Sequence, residues 1–298
     1  MNKHLPLLLA ISLIWGSQFF FNAIALNTLP PLTIALLRSG IAALTLALIF
    51  HFSRERRATP VEARKIPFST YFGIAVVDAT LPFFLMTWGQ RQLESGTAAI
   101  LNGTIPLFAL ILTPLLIAGT RLTLGNFLSI GLGFFSVLVL NAASLQHGLG
   151  GSTLPMVAML GGSACFAAGL VLIKRLDSPT FITTARNILF ASTLQLLPLA
   201  LWVDRPWTLP WSLEALGALL FLGAVNAGLA YLLYVVLIAK AGPTFASLSN
   251  YMVPMVGMML GIFLLGEPFH PISIVALLIL FAALSLNGWT PRKKRQPA

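Results

Sequence analysis

A few polar side chains stand inside long apolar stretches of this chain, where they could bind or move a charged group. Asp78 is the only acid near the middle of such a stretch, and Arg38 lies in the stretch before it. Asn102 and Asn250 each stand four residues ahead of a proline, Pro106 and Pro254. Polar groups are costly in hydrocarbon, so each should face a partner, a cavity or a solute. At a rise of ~1.5 Å per residue, Asp78 lies ~15 Å into its stretch and Arg38 ~9 Å from the outer end of its own. An arginine side chain can reach across the ~6 Å difference in depth. Three roles stay open for the two: a buried pair joining neighbouring helices, proton coupling or substrate contact, and solvation by cavity water.

The elements that must position these residues are repeated. Adding 148 to the numbering carries Thr97–Pro106 onto Phe245–Pro254, with Asn102 on Asn250 and Pro106 on Pro254. The same offset carries Pro31 onto Pro179, Arg38 onto Arg186 and Asp78 onto Asn226. Five matches at one offset indicate a duplicated unit. The Arg38–Asp78 slot recurs as Arg186 and Asn226, without the negative charge.

Hydrophobic residues make up 57% of the 298 and charged residues only 9%, with a mean hydropathy of +0.90. So few charges cannot clothe a soluble domain of this size, so the chain is expected to be solvated by lipid. A single cysteine, Cys165, excludes an internal disulfide and a cysteine metal cage. The net charge of +10 reads as membrane orientation, not nucleic-acid binding, because the basic residues cluster between or after apolar runs.

Ten apolar runs, at about 5–26, 32–52, 68–89, 96–118, 123–141, 153–173, 180–202, 214–237, 243–265 and 271–289, are each long enough to cross ~30 Å of hydrocarbon. The first also resembles a signal peptide, with Lys3 and a candidate cleavage site at Ala23-Ile24-Ala25. Cleavage would leave nine spans and orphan that run's partner, so it is retained. With the N-terminus inside, 14 of the 18 Lys and Arg residues face the cytoplasm; Arg91 and Arg205 face outward, and Arg38 and Arg186 lie within spans. Both termini are then cytoplasmic.

The expected fold is an all-α integral membrane protein of ten transmembrane helices in two inverted five-helix repeats, at 1–145 and 152–291, with a basic tail at 292–298. An odd number of spans per repeat makes the second copy cross in the opposite sense. Inverted halves can exchange conformations, turning an inward opening into an outward one around a site near the midplane. That organisation predicts a transporter, although some channels share it.

Trp15-Gly16-Ser17 opens the first span, the Asn-x3-Pro spacing recurs in spans four and nine, and Leu264-Leu265-Gly266-Glu267 closes span nine. On these residues the chain resembles the EamA-type drug/metabolite transporter superfamily, and more closely the YddG-type amino-acid exporters of bacterial inner membranes. The resemblance covers residues 5–289. It implies ten helices in two inverted halves, a central cavity and outward movement of small metabolites across an inner membrane. Thr120 stands where family members often carry Glu, so the glutamate closing span nine has no counterpart in span four.

In the resembled fold spans one, three, six and eight face the centre, which selects Trp15, Phe83, Phe166 and Tyr231 as cavity residues. Gln18, Trp88, Asp78, Asn102, Asn226 and Asn250 complete the candidate substrate pathway. An aromatic and amide lining suits amphipathic solutes, amino acids among them. Arg38, Arg186, Pro106 and Pro254 are candidates for structure or gating, because each proline removes a backbone donor and crowds the asparagine carbonyl four residues earlier. Gly103, Gly131, Gly133, Gly161, Gly162, Gly257 and Gly261 are expected at close helix contacts.

Enzymatic readings fail on the placement of the four histidines, His4, His51, His147 and His270, at span ends or in links. No phosphate-cradling Gly-Lys motif indicates ATP hydrolysis, and no cofactor, metal or nucleic acid is expected. The expected partners are lipid and a small-molecule solute, with a proton as candidate coupling ion, and the chain is expected to act as a monomer. A drug or other metabolite exporter and a passive channel are the competing readings; channels line their paths with polar rings or carbonyls.

Overall fold

The computed structural model describes residues 4–52, 66–119, 122–146, 153–176, 181–241 and 249–287, which contain helices and no strand. Ten helical segments follow in order: α1 (Leu5–Leu26), α2 (Pro31–Phe52), α3 (Phe68–Gln90), α4 (Ser95–Leu116), α5 (Leu124–Gln146), α6 (Thr153–Arg175), α7 (Phe181–Val203), α8 (Leu213–Leu220 continuing through Ala230–Ala241), α9 (Ser249–Leu265) and α10 (Pro271–Asn287). Seven reach spanning length; the apolar parts of α5, α9 and α10 are shorter. The basic segment 54–65, Thr120, Pro179, residues 243–248 of the ninth run and the tail lie outside the described residues.

These sequences fold as helices because a bilayer leaves backbone groups no partner except one another. Prolines sit where the first turn has no bond to lose, at Pro31 and Pro271. Gly119 and Gly266, after α4 and α9, adopt φ of +83° and +68°, a left-handed turn that suits glycine. Leu44, Phe127, Leu138 and Phe263 are more than half exposed around the outside, the distribution of a surface meant for lipid. Trp202 and Trp207, at the end of α7 and in the link to α8, are mostly exposed, as in an interfacial belt.

The packing follows the duplication. α2 lies against α7 and α5 against α10, each on its own counterpart. The α3–α6 contact is matched by α8–α1, the α2–α8 contact by α7–α3, and the α4–α6 contact by α9–α1. Serines on α5 tie down the α5–α10 contact, with Ser129 donating to the Ala283 carbonyl and Ser136 to that of Ala276, both at 2.6 Å. Of the glycines expected at close contacts, Gly103, Gly133, Gly162, Gly257 and Gly261 leave no room for a Cβ. Gly131 faces open space and Gly161 only an ordinary contact, so those two are corrected.

Four helices depart from regular α geometry near their middles, α1 among them with a break at Ser17 between Leu5–Gly16 and Gln18–Leu26. α3 widens to a π-helix at Val76–Thr80 and α8 at Phe221–Leu229. The offset of 148 carries the first segment into the second, so the duplication extends to a backbone irregularity. α4 is interrupted at Gly103–Thr104, between Ser95–Asn102 and Ile105–Leu116, with Pro106 in the first turn of the second piece. Around the break the Leu101 carbonyl accepts from the Thr104 amide at 3.1 Å, from the Thr104 hydroxyl at 2.6 Å and from Ser163 on α6 at 3.3 Å. α9 runs unbroken through Pro254, so the two proline sites differ in backbone.

Candidate functional site

Two π segments carry the polar residues that the sequence singles out, Asp78 on α3 and Asn226 on α8. Such turns recur at functional positions because they shift the register of the side chains they present. Arg38, on α2, donates from Nη2 to Gln18 Oε1 at 2.9 Å and to Asn226 Oδ1 at 2.8 Å. Its guanidinium carbon lies 4.3 Å above the centre of the Phe83 ring. Asn226 is nearly fully buried and passes its own Nδ2 proton to the Ile14 carbonyl at 2.9 Å. Four helices, α1, α2, α3 and α8, therefore meet at one cation.

The Arg38–Asp78 pair, one of the three roles left open for these residues, does not form among the described contacts. The reason lies in the packing: α2 runs closely along the π segment of α8, because Gly223 and Gly228 present no side chain to Ile41 and Thr45. Arg38 consequently reaches the counterpart of Asp78 in the other half. Arg186 is likewise not on Asn226; it donates to Asn187 Oδ1 on its own helix, at 3.0 and 3.2 Å, and lies 5.2 Å from the Phe50 ring. Hydrogen bonds from a charged donor are worth about 1.5–3 kcal/mol each, and a desolvated cation–π contact about 2. They hold the Arg38 guanidinium without a carboxylate.

Asp78 is half-buried, yet its Oδ1 is buried and has no hydrogen-bond partner among the described residues. The same holds for Arg38 Nε. One acceptor and one donor are thus left open in the middle of the bundle, and buried polar atoms without partners require an explanation. On one side Asp78 meets Gly169 of α6 so closely that a Cβ there would lie 2.5 Å from Oδ1. On another it interacts electrostatically with Tyr231, which interacts in the same way with Tyr234. The Tyr234 ring packs 4.8 Å from that of Trp15.

The structure therefore brings Gln18, Arg38, Phe83 and Asn226 into direct contact, with Asp78, Tyr231 and Trp15 linked alongside. No described hydrogen bond or ring contact joins Trp88, Asn102 or Phe166 to this centre. The side chains of Asn250 and Tyr251 lie outside the described residues.

Other polar clusters escaped the sequence reading. Asn22 donates to Gln90 at 2.8 Å and Gln90 to the Phe19 carbonyl at 2.6 Å, locking α1 to α3. Thr80 bonds Ser192 and Gln195 across α3 and α7. Near the helix ends, Glu267 accepts from the Ser95 amide at 2.8 and 3.0 Å, Asp204 accepts from Thr33 at 2.8 Å, and His270 pairs with Glu94 at 3.1 Å. A surface recess lies beside Glu94, Met258, Glu267 and His270. Its acids are engaged in capping and pairing, so the centre, with its open donor and acceptor, is the better candidate site.

Comparison with known proteins agrees with this architecture. The EamA-like transporter family model matches twice, at residues 3–142 and 153–289. The inner membrane transporter YedA of Escherichia coli (strain K12) is 28% identical over 93% of this chain and 88% of its own length. A transporter of Archaeoglobus fulgidus is 24% identical, covering 90% and 92%, and the protein PecM of Dickeya dadantii 25%, covering 95% and 93%. A chain solved by crystallography shares the fold with a TM-score of 0.63 at 13% identity, covering 93% of this chain and 97% of that one. With both halves matched, this multi-pass membrane protein belongs to the EamA-like transporter family.

Proposed function

We propose that the chain is an inner-membrane exporter of small amphipathic metabolites, amino acids with aromatic or hydrophobic side chains foremost, working by alternating access. In this reading ten helices cross the membrane as two inverted halves, and both termini are cytoplasmic. The observation that carries it is the centre itself. The Arg38 guanidinium, with an open Nε, lies over the Phe83 ring, and Asp78, with an open Oδ1, interacts with Tyr231, beyond which lie Tyr234 and Trp15. A zwitterion with an apolar side chain matches one cation, one anion and several rings.

The reciprocal packing supports a two-state carrier, since each half has the contacts the other would need after exchange. The test is counterflow of labelled L-phenylalanine in proteoliposomes, with leucine and amphipathic cations as competitors. Saturable uptake driven by unlabelled internal phenylalanine supports the reading. Fast, near-linear flux without counterflow would make the protein a channel, and counterflow with organic cations alone would make it a drug exporter.

A further inference from the structure

The two arginine positions of the duplication are in different states. Arg38 has crossed to the π segment of the other half and holds Asn226. Arg186 occupies the counterpart position on α7, and α7 packs against the π segment of α3 that carries Asp78. Yet Arg186 turns to Asn187, and Asp78 Oδ1 is left with no hydrogen-bond partner. The Arg38–Asn226 contact demonstrates that an arginine at this repeat position can reach the residue in question.

The unpartnered Asp78 Oδ1 has the chemistry of an ammonium acceptor. An ionised carboxylate in a low-dielectric interior is stable only with a positive partner, and otherwise takes up a proton. Gly169 closes one side of Asp78 without placing a side chain there, and Tyr231 interacts electrostatically with it from α8. A primary ammonium offers three donors, enough for Oδ1 and further neighbours.

We propose that Asp78 binds the ammonium of the solute, and that in the opposite state of the carrier Arg186 swings onto Asp78 and displaces it. Arg38 releases Asn226 in the same change, so the two cross-half contacts alternate. The proposal rests on the carrier reading above and adds the group recognised and the means of its release. Occupancy by Arg186 leaves no room for the ammonium, which makes release one-to-one with the conformational change.

The experiment uses the full chain in detergent and measures dissociation constants for L-phenylalanine, phenethylamine and 3-phenylpropionate by thermal shift. Phenethylamine, which keeps the ammonium, should bind the parent through Asp78, whereas 3-phenylpropionate, which lacks it, should bind with an affinity that Asp78→Asn does not weaken. Asp78→Asn should weaken phenethylamine about tenfold or more. Arg186→Gln should tighten it about two- to tenfold, because the internal competitor is gone. A purely structural Arg186 has no such sign of effect.

Failure of phenethylamine to bind the parent overturns the ammonium site whether or not any variant folds, and so does parent-like phenethylamine affinity in Asp78→Asn. Phenethylamine affinity unchanged or weakened in Arg186→Gln overturns the displacement. If Asp78→Asn keeps counterflow and loses only pH-driven uptake, Asp78 is a proton-coupling group and the slot is wrong. Binding at Asp78 with no amino-acid counterflow leaves the slot standing and sinks the substrate reading instead.

Discussion

At the scale of residues, the centre turns on which partner each buried charge has. Arg38 depends on Asn226 and Gln18, whereas Asp78 depends on no described hydrogen bond. Their stability effects should therefore be unequal. Asn226→Leu leaves the guanidinium short of an acceptor and should cost about 1.5–3 kcal/mol. Asp78→Asn should express and melt close to the parent, since it removes no bond that holds helices together. Equilibrium unfolding of both variants in mild detergent checks this, and a large loss in Asp78→Asn with none in Asn226→Leu would return Asp78 to a structural role. The sequence identified Asp78, Arg38, Asn226 and Arg186 as the residues that matter, because charge within an apolar run is visible without coordinates. It paired them within each half, since depth along a helix is legible and the choice of neighbouring helix is not.

At the scale of elements, the two prolines of the Asn-x3-Pro pattern act on different backbones. Pro106 starts the second piece of an interrupted α4, while Pro254 lies inside a continuous α9. Pro106→Ala should let the helix close across Gly103–Thr104 and should slow exchange more than it weakens binding. Pro254→Ala has no break to close and should act less. Counterflow rates and labelling of cysteines at the two mouths check this; parent-like rates in Pro106→Ala would reduce the break to a packing feature. Glu267, at the end of the Leu-Leu-Gly-Glu motif, caps the start of α4 with both oxygens. Glu267→Ala should cost about 1 kcal/mol in the same unfolding measurement. The π segments had no sequence marker, because a one-residue widening inside an apolar run changes neither composition nor period.

At the scale of the whole molecule, composition and apolar runs made the membrane class legible, and five matches at one offset made the duplication legible. The structure adds a packing plan in which α2 meets α7, α4 meets α9, α5 meets α10, and the α3–α6, α2–α8 and α4–α6 contacts each have a counterpart. That plan could not be read from runs of leucine, which fit against any neighbour. The proposed carrier rests on an opposite sense of the two halves, which sidedness measures directly. Pro60→Cys and Gly148→Cys, each made in a Cys165→Ala background, would be labelled with an impermeant maleimide in oriented vesicles. The account predicts that position 60 reacts only from the cytoplasmic side and position 148 only from the opposite side. Labelling of both from the same side would contradict the inverted halves, and with them the alternating-access account.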